Sequence, residues 1–148
     1  MGGKLSFKNG VLTAERDKLR GIDVNVSQIP DLAPIIAVTA AFADGETVIR
    51  GASRLRAKES DRLQSAADNL RRAGITVIEE ADSLRITGGQ PKGAVFDGCN
   101  DHRIVMAFSV LAVYAEGESR IEGAQAINKS FPGFFERIRS LGADIKLT

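Results

Sequence analysis

The stretch FADGETVIRGA, residues 42–52, decides the organisation of this chain because a second copy, YAEGESRIEGA, occupies residues 114–124. Both read aromatic, Ala, acid, Gly, Glu, Thr or Ser, any residue, Ile, any residue, Gly, Ala. The offset is 72 residues here. It is 68 residues for the rougher pair NLRRAGITV (69–77) and RIRSLGADI (137–145). Because an internal repeat reorganises a fold prediction, we expect two copies of one structural unit.

Each copy predicts a buried helix, a strand, an exposed helix and a strand. Residues 32–43 and 104–115 are apolar nearly all round, which is typical of buried helices. In the first copy, Leu63, Ala66, Ala67 and Leu70 have the spacing of one helix face. Gly74 follows as the stop signal. Strands are expected at ETVIRGA, ITVIEE and SLRITG.

The first thirty residues predict β structure. LSFK and VLTA flank Asn9-Gly10, a strong hairpin signal, and residues 22–26 alternate apolar and polar as in a strand. Pro30 suits the first turn of the buried helix that follows. Ser27 and Asp31 are its candidate caps. The pattern as a whole favours an α/β (α+β) fold with parallel strands, crossover helices and hairpins. Right-handed crossovers place successive helix starts at one edge of the sheet.

The composition argues against several classes of function. The chain has 148 residues, of which 43% are hydrophobic and 26% charged, as in a soluble globular protein. The net charge of +1 argues against a nucleic-acid partner. The longest apolar runs are too short for a membrane span. The single cysteine, Cys99, excludes an internal disulfide and a cysteine-based zinc site. Because the start MGGKLSFKNG lacks the apolar region of a signal peptide, we expect a cytoplasmic location.

Charged residues gather at the predicted helix starts. Three of the four starts carry a cation at or just before the first turn, although a helix start already attracts anions. The four predicted starts are residues 30–31, 58–62, 100–103 and 129–132, and the cations are Lys58, Arg62, Arg103 and Lys129. Their position predicts a converging site for phosphate or carboxylate groups, which arginine grips with two bonds and lysine meets as a point charge.

Simpler interpretations stay open for each residue. Arg62 can pair with Glu59, three residues earlier on the helix. Asp101 can be an N-cap only, with Arg103 solvated. His102 alone is more often a structural donor than a catalyst.

Asp31 and Glu59 are the candidate acid and base. The simpler interpretation of Asp31 is an N-cap, and that of Glu59 is an ion pair. The sequence leaves their protonation states open.

The motifs IPDLAP, LRAKESDRL, NDHRIVMAF and NKSFPGFF, in this order, resemble the second half of the 5-enolpyruvylshikimate-3-phosphate synthases. These are the transferases of the shikimate pathway of aromatic amino acid biosynthesis that glyphosate inhibits. The resemblance covers essentially the whole chain and is strongest over residues 23–148. KESDR and DHR at this spacing are its specific signals.

The resemblance implies a two-domain architecture of repeated βαβαββ units, with buried parallel helices covered by mixed sheets and helix starts facing the cleft between domains. Residues 1–148 would form a single fragment of the C-terminal domain. Residues 1–89 would be its first unit and residues 90–148 a second unit whose completeness stays open. The family transfers the enolpyruvyl group of phosphoenolpyruvate to the 5-hydroxyl of shikimate 3-phosphate through a tetrahedral ketal phosphate. It needs no metal and no organic cofactor.

Residue roles carried over from the resemblance are as follows. Arg62, Arg103 and Lys129 would bind the phosphate and carboxylate of phosphoenolpyruvate, and His102 would line that site. Asp31 and Lys58 would meet the shikimate hydroxyls.

The same resemblance implies that Glu59 donates a proton to the enol methylene and that Asp31 acts near the 5-hydroxyl. The family's first half, the chain's expected partner, is absent, so we expect no activity from this chain alone. Two alternatives remain open: the sister transferase acting on UDP-N-acetylglucosamine, from which a different motif set is expected, and a non-catalytic anion-binding repeat module.

Overall fold

The computed structural model describes residues 1–15 and 17–147. The strands are β1 (Lys4–Lys8), β2 (Val11–Glu15), β3 (Asp23–Asn25), β4 (Glu46–Arg50), β5 (Thr76–Glu79), β6 (Ser83–Thr87), β7 (Val95–Asp97) and β8 (Arg120–Glu122). The α-helices are α1 (Ala33–Ala41), α2 (Arg62–Arg72), α3 (His102–Tyr114) and α4 (Phe134–Ser140). Short 3-10 helices lie at Pro30–Leu32, Ser53–Ala57 and Ala124–Lys129.

The predicted α/β fold with mixed sheets is confirmed. One sheet has the strand order β3-β4-β6-β5, and a second consists of β7 and β8. The pairs β3–β4 and β7–β8 are parallel, with α1 and α3 as their crossover helices. The pairs β4–β6 and β5–β6 are antiparallel. We call β3, α1, β4, α2, β5 and β6 the first repeat, and β7, α3, β8 and α4 the second repeat.

The two repeats match residue for residue around their parallel strands. Asp23 pairs with Val48 in the first repeat, and Val95 pairs with Arg120 in the second, each 72 residues later. Two isolated bridges at the ends of these strand pairs, Arg20↔Asp44 and Lys92↔Glu116, have the same offset. The domain boundary at residues 89 and 90 stays a prediction.

Two equivalent glycines contribute to the matching strand pairing of the two repeats. A Cβ on Gly21 would lie 2.1 Å from the carbonyl oxygen of Glu46, and one on Gly93 would lie 2.2 Å from that of Glu118. Both are backbone contacts that cannot move aside. The close strand approach therefore requires glycine at both places.

The buried helices α1 and α3 form the centre of the core. Ala33, Ala37, Ala40 and Ala41 on α1 are buried, which allows its neighbours to approach closely. On α3 the buried side chains are larger, and Phe108 packs against Phe96 of β7 with ring centroids 5.4 Å apart. The interpretation of both segments as buried helices is confirmed.

The exposed helices explain the two repeat offsets. The helix α2 has 11 residues and α4 has 7. Their first residues, Arg62 and Phe134, are 72 apart, whereas their last residues, Arg72 and Ser140, are 68 apart. The second repeat therefore lacks four residues inside this helix, about one turn.

The stop signal at Gly74 is confirmed. Gly74 has a φ of 79°. Its N–H donates to Arg71, and the N–H of Ile75 donates to Leu70, which together form a Schellman motif.

The Asn9-Gly10 hairpin prediction is also confirmed. The strands β1 and β2 pair with Lys8 opposite Val11, and both turn residues have positive φ, as a two-residue hairpin requires.

Two predicted helix starts are wrong. The helix α2 begins at Arg62 rather than Lys58, because the chain first makes the 3-10 helix Ser53–Ala57 and because Asp61 caps α2 by accepting from Gln64 N at 3.0 Å. Likewise α4 begins at Phe134 rather than Lys129, which ends a 3-10 helix.

The predicted caps at the start of the first buried helix are wrong as well. Neither Ser27 nor Asp31 caps the helical segment that begins at Pro30, and no side chain caps α1. Asp31 makes ion pairs instead.

The strand predicted at residues 143–145 does not form. In the first repeat the corresponding β5 pairs only with β6. The second repeat has no counterpart of β6 in the described chain up to residue 147, so a strand there would have no partner. The described residues contain no helix long and apolar enough to cross a membrane.

Candidate functional site

The predicted site residues meet where α1 and α3 begin. Asp31 lies in the 3-10 helix that leads into α1, and His102 and Arg103 form the first turn of α3. Lys58 and Glu59 lie in the loop before α2, and Arg62 is the first residue of α2. The convergence expected from the sequence is therefore present, although only two of the helix starts lie where they were predicted.

Arg62 is the centre of the cluster. Its guanidinium donates from Nε to Asp101 Oδ2 at 2.7 Å, from Nη1 to Asp31 Oδ1 at 2.8 Å and from Nη2 to Glu59 Oε2 at 2.5 Å. Only 1% of this side chain is exposed. A buried charge requires such partners, because desolvation otherwise costs several kcal/mol. The interpretation of an Arg62–Glu59 pair is confirmed, but the other two carboxylates were not predicted as partners.

The surroundings of Arg62 keep it charged. Burial alone would lower the pKa of the guanidinium, but the hydrogen bond and charge of Asp101, with the charge of Glu59 and the hydrogen bond to Asp31, outweigh it. The pKa of Arg62 is therefore raised above its ordinary value.

Asp101 is the residue whose second role the sequence did not reveal. Its Oδ1 accepts from Arg103 N at 2.9 Å, which confirms the N-cap. Its Oδ2 accepts from Arg62, and from Ser60 Oγ at 3.2 Å. The available signal was that a capping carboxylate has oxygen lone pairs left for a second partner, and that Asp101 precedes a motif rich in cations.

The pKa of Asp101 is shifted in the opposite direction from what burial would cause. Burial would raise it, but the hydrogen bonds from Arg62 and from the N–H of Arg103, the Arg62 charge and the Ser60 hydroxyl together lower it below 3.8. Asp101 and Arg62 are thus a fully buried, fully charged pair that joins the two repeats.

A second link between the repeats is the ion pair of Asp31 with Arg103. Arg103 Nη2 donates to Asp31 Oδ2 at 2.9 Å, and the two residues are 72 positions apart, so they occupy equivalent places in the repeats. Lys58 Nζ lies 3.9 Å from the other Asp31 oxygen. The N-cap interpretation of Asp31 and the interpretation of Arg103 as merely solvated are both wrong, since each has an ionic partner.

The rim of the cluster carries positive charge. The side chains of Lys58 and Arg103 are each about a third exposed, at 33% and 34%. Lys129 Nζ donates to the backbone oxygen of Asn100 at 2.5 Å and to its Oδ1 at 2.9 Å, both neutral acceptors. Arg62 therefore lies among the three carboxylates, and Lys58, Arg103 and Lys129 at the rim are accessible to an incoming anion.

His102 lies beside this rim at the start of α3. It is buried, and its Nδ1 has no hydrogen-bond partner among the described residues. This nitrogen is therefore a buried polar atom whose hydrogen bonding the described residues leave unsatisfied.

The architecture is that of the enolpyruvyl transferases. It superposes on the enolpyruvyl transferase NikO from Streptomyces tendae with a TM-score of 0.83, at 23% identity, over 100% of this chain and 34% of that one. It also superposes on the EPSP synthase from Acinetobacter baumannii with a TM-score of 0.85, at 31% identity, over 100% of this chain and 38% of that one.

Sequence comparison narrows the class to one family. The profile described as EPSP synthase (3-phosphoshikimate 1-carboxyvinyltransferase) matches residues 1–138, and the chain belongs to this family. A 3-phosphoshikimate 1-carboxyvinyltransferase from Pyrococcus furiosus is 49% identical over 91% of this chain and 33% of its own length. The one from Halobacterium salinarum strain R1 is 45% identical over 97% of this chain and 34% of its own length. The chain thus spans about a third of the length of these relatives.

Proposed function

We propose that this chain supplies the C-terminal part of the active site of a 3-phosphoshikimate 1-carboxyvinyltransferase. The reaction moves the enolpyruvyl group of phosphoenolpyruvate to the 5-hydroxyl of shikimate 3-phosphate. The observation that carries the proposal is the convergence of KESDR, DHR and Asp31 around one buried arginine, with accessible cations at the rim. The names and identities of the relatives support the same assignment.

Phosphoenolpyruvate carries a phosphate and a carboxylate, and the rim offers cations for both. Arg103 and Lys129 approach from the first turn of α3 and from the 3-10 helix before α4. The N–H groups of the α3 start add favourable partial charge. Arg62 contributes through its charge, because its guanidinium is buried, and His102 lies beside Arg103 in the first turn of α3.

The two candidate proton-transfer groups are held by the same arginine. Asp31 and Glu59 are both nearly half exposed, and each accepts one hydrogen bond from Arg62. In the proposed reaction, Glu59 protonates the methylene carbon of phosphoenolpyruvate while the 5-hydroxyl of shikimate 3-phosphate attacks the adjacent carbon. Asp31 accepts the hydroxyl proton, and Lys58, 3.9 Å from Asp31, faces the shikimate hydroxyls. The ketal phosphate then returns a methyl proton to the Glu59 carboxylate and expels phosphate, which restores the double bond.

Arg62 gives this arrangement its rigidity. A guanidinium is planar and donates in fixed directions. With one edge on buried Asp101 and separate nitrogens on Asp31 and Glu59, it fixes both carboxylates relative to α3. Removing Arg62 should therefore disturb acid and base together.

Turnover needs the rest of the enzyme. Orientation between two walls accounts for much of an enzymatic rate enhancement, and this chain forms one wall. We infer that its partner is the N-terminal half of the enzyme and that the chain alone does not turn over. The cytoplasmic location stays a prediction from the sequence.

The direct test is a titration of the chain with phosphoenolpyruvate while backbone amide NMR shifts are recorded. We expect weak binding, of millimolar order or about 4 kcal/mol, that weakens further with salt. Shifts should appear together in residues 58–62, 101–103 and 129–130. The variants Arg62→Ala and Arg103→Ala should abolish all three sets.

A matched control is Arg71→Ala, which removes an arginine from the far end of α2. It should leave the shifts unchanged. Shifts confined to one set, or shifts that survive both site variants, would show that these charges do not form one site. Release of phosphate over many turnovers by the purified chain would contradict the expected lack of activity.

A further inference from the structure

Arg56 is a residue of the LRAKESDRL motif to which neither the pattern of helix starts nor the reaction assigns a role. We propose that Arg56 is a positioning residue, which holds the loop carrying Lys58 and Glu59 against the turn between β5 and β6. The proposal rests on the proposed function, since the loop matters because of the two site residues it carries.

The contacts of Arg56 extend in two directions. Towards the β5–β6 turn, Nε donates to the oxygen of Ala81 at 3.0 Å and Nη2 donates to that of Glu80 at 2.7 Å. Nη1 serves both directions, since it donates to Asp61 Oδ2 before α2 at 2.9 Å and to Glu79 Oε1 at the end of β5 at 3.0 Å. One side chain thus uses all three nitrogens to connect three separate backbone segments.

Asp61 makes this connection relevant to the site. Its Oδ1 caps α2 through Gln64 N, while its Oδ2 accepts from Arg56. Arg56 therefore orients the cap that precedes Arg62. Lys58 and Glu59 lie between Arg56 and that cap, so both ends of their loop are fixed by the same guanidinium.

Backbone contacts strengthen the same attachment. Ser53 N donates to Asp82 Oδ1, and Ala52 N donates to the Asp82 oxygen at 3.0 Å. These bonds fix the start of the 3-10 helix Ser53–Ala57. Arg56 fixes its end, which is the end that leads into the site.

The second repeat shows the arrangement without this support. Its 3-10 helix Ala124–Lys129 is followed by no β5–β6 counterpart in the described residues. Lys129 bonds to Asn100 across the site instead. The support by a neighbouring hairpin is thus specific to the loop that bears Lys58 and Glu59.

The test uses backbone ¹⁵N relaxation on the full chain, first without ligand. In Arg56→Ala we expect the order parameters of residues 58–60 to fall below about 0.6, the flexible range, while those of residues 101–103 stay near about 0.85. Arg85→Ala is the matched control. Arg85 also pairs with two carboxylates and has similar exposure, 35% against 32%, but it touches Glu46 and Glu80 rather than the loop.

The control should leave residues 58–60 rigid. A rigid loop in Arg56→Ala, or equal loosening in Arg85→Ala, overturns the proposal. If Arg56→Ala does not fold, Arg56→Lys serves in its place. A single ammonium keeps the charge but cannot reproduce the fork of bonds, so the same loosening is expected.

Titration with phosphoenolpyruvate then separates this proposal from the function itself. In Arg56→Ala the shifts at residues 58–62 should be lost while those at residues 101–103 remain. Shifts at residues 58–62 that equal those of the unaltered chain contradict the positioning role. If the unaltered chain shows no shifts at all, the proposed function fails, and the ligand-free relaxation data still decide the role of Arg56.

Discussion

The two repeats share a strand register and a buried helix, but they differ in what surrounds the exposed helix. In the first repeat, α2 covers a sheet of four strands, and its buried Leu63 and Leu70 belong to the main core. In the second repeat, α4 is a turn shorter, and Phe134 and Phe135 pack in a separate small cluster with Val105 and Ile127. The shared part of the repeats thus places Asp31, His102 and Arg103, whereas the part that differs places Lys58, Glu59 and Arg62.

This difference indicates that the repeats depend on each other unequally. The main core includes α1 and α2 of the first repeat together with Phe96, Ile104 and Phe108 of the second. The cluster around α4 is attached to it mainly through α3. We therefore expect the loss of α4 packing to destabilise α4 locally. The loss of the inter-repeat ion pairs should lower the stability of the whole chain.

The largest expected effect comes from breaking the link between repeats. Arg62→Met removes the cation but leaves Asp101 buried, and breaking such a pair on one side typically costs about 3–5 kcal/mol of unfolding free energy. Urea denaturation measures it. The double variant Arg62→Met/Asp101→Leu should recover part of the loss, because no buried charge is left alone.

Arg71→Ala is the control for this experiment, since its ion pair with Asp68 is exposed and should be worth at most about 1 kcal/mol. An Arg62→Met loss no larger than that of the control would show that the repeats are not held together by this pair.

The next comparison uses equivalent positions in the two exposed helices. Leu63 and Phe135 are 72 residues apart, and they are 0% and 7% exposed. Leu63→Ala should cost about 2–5 kcal/mol of global stability by leaving a cavity in the main core. Phe135→Ala removes more atoms but should mainly speed hydrogen exchange within α4. Equal losses of global stability in both variants would mean that the repeats unfold as one unit.

The pH dependence of stability tests the contribution of Asp101 to the link between the repeats. Its pKa is lower in the folded chain than its ordinary 3.8, so its contribution is complete above that pH and is lost as the pH falls through the lower folded value. Asp101→Asn should cost about 1.5–3 kcal/mol at pH 7, and the difference from the unaltered chain should shrink below pH 3.8. Asp68→Asn, an exposed partner of Arg71, is the control. A difference that is constant from pH 7 to pH 2 would contradict the assignment.

The smallest effect is expected at a pair of equivalent turn glycines. Gly51 and Gly123 have φ values of 67° and 69°, so alanine at either place costs about 1 kcal/mol of backbone strain. Gly123 has open space around a new Cβ, but at Gly51 it would lie 2.5 Å from Asn25 Oδ1, which accepts from Ser27 N. Gly51→Ala should therefore lower the melting temperature more than Gly123→Ala, and the reverse order would contradict the predicted clash with Asn25.

Much of the fold was accessible from the sequence because the repeat is a local pattern. The stretches at residues 42–52 and 114–124 predicted equivalent strands, and the apolar runs before them predicted the buried helices. The first residue of each helix was harder to predict from the sequence. The KESDR segment has helix-like composition from Lys58 onward, but the 3-10 helix at Ser53–Ala57 and the Asp61 cap delay α2 to Arg62.

The sequence predicted which residues gather at the site, but not which of them contact each other. Opposite charges at predicted helix starts indicated which side chains would meet, and Asp31, Lys58, Glu59, Arg62 and Arg103 do meet. The partners of Arg62 could not be assigned, because its two longest-range contacts, to Asp31 and Asp101, depend on how α1 and α3 pack. Their roles in binding and proton transfer stay proposals.

The ion pair of Asp31 with Arg103 has a consequence for symmetry. The two positions are the same place in two copies of one motif, and their side chains touch. If both copies carried the same residue there, two carboxylates or two guanidinium groups would face each other and repel. The contact is attractive only because the copies differ at this place. The backbone is equivalent in the two repeats, whereas this contact in the site requires different side chains at the two equivalent positions.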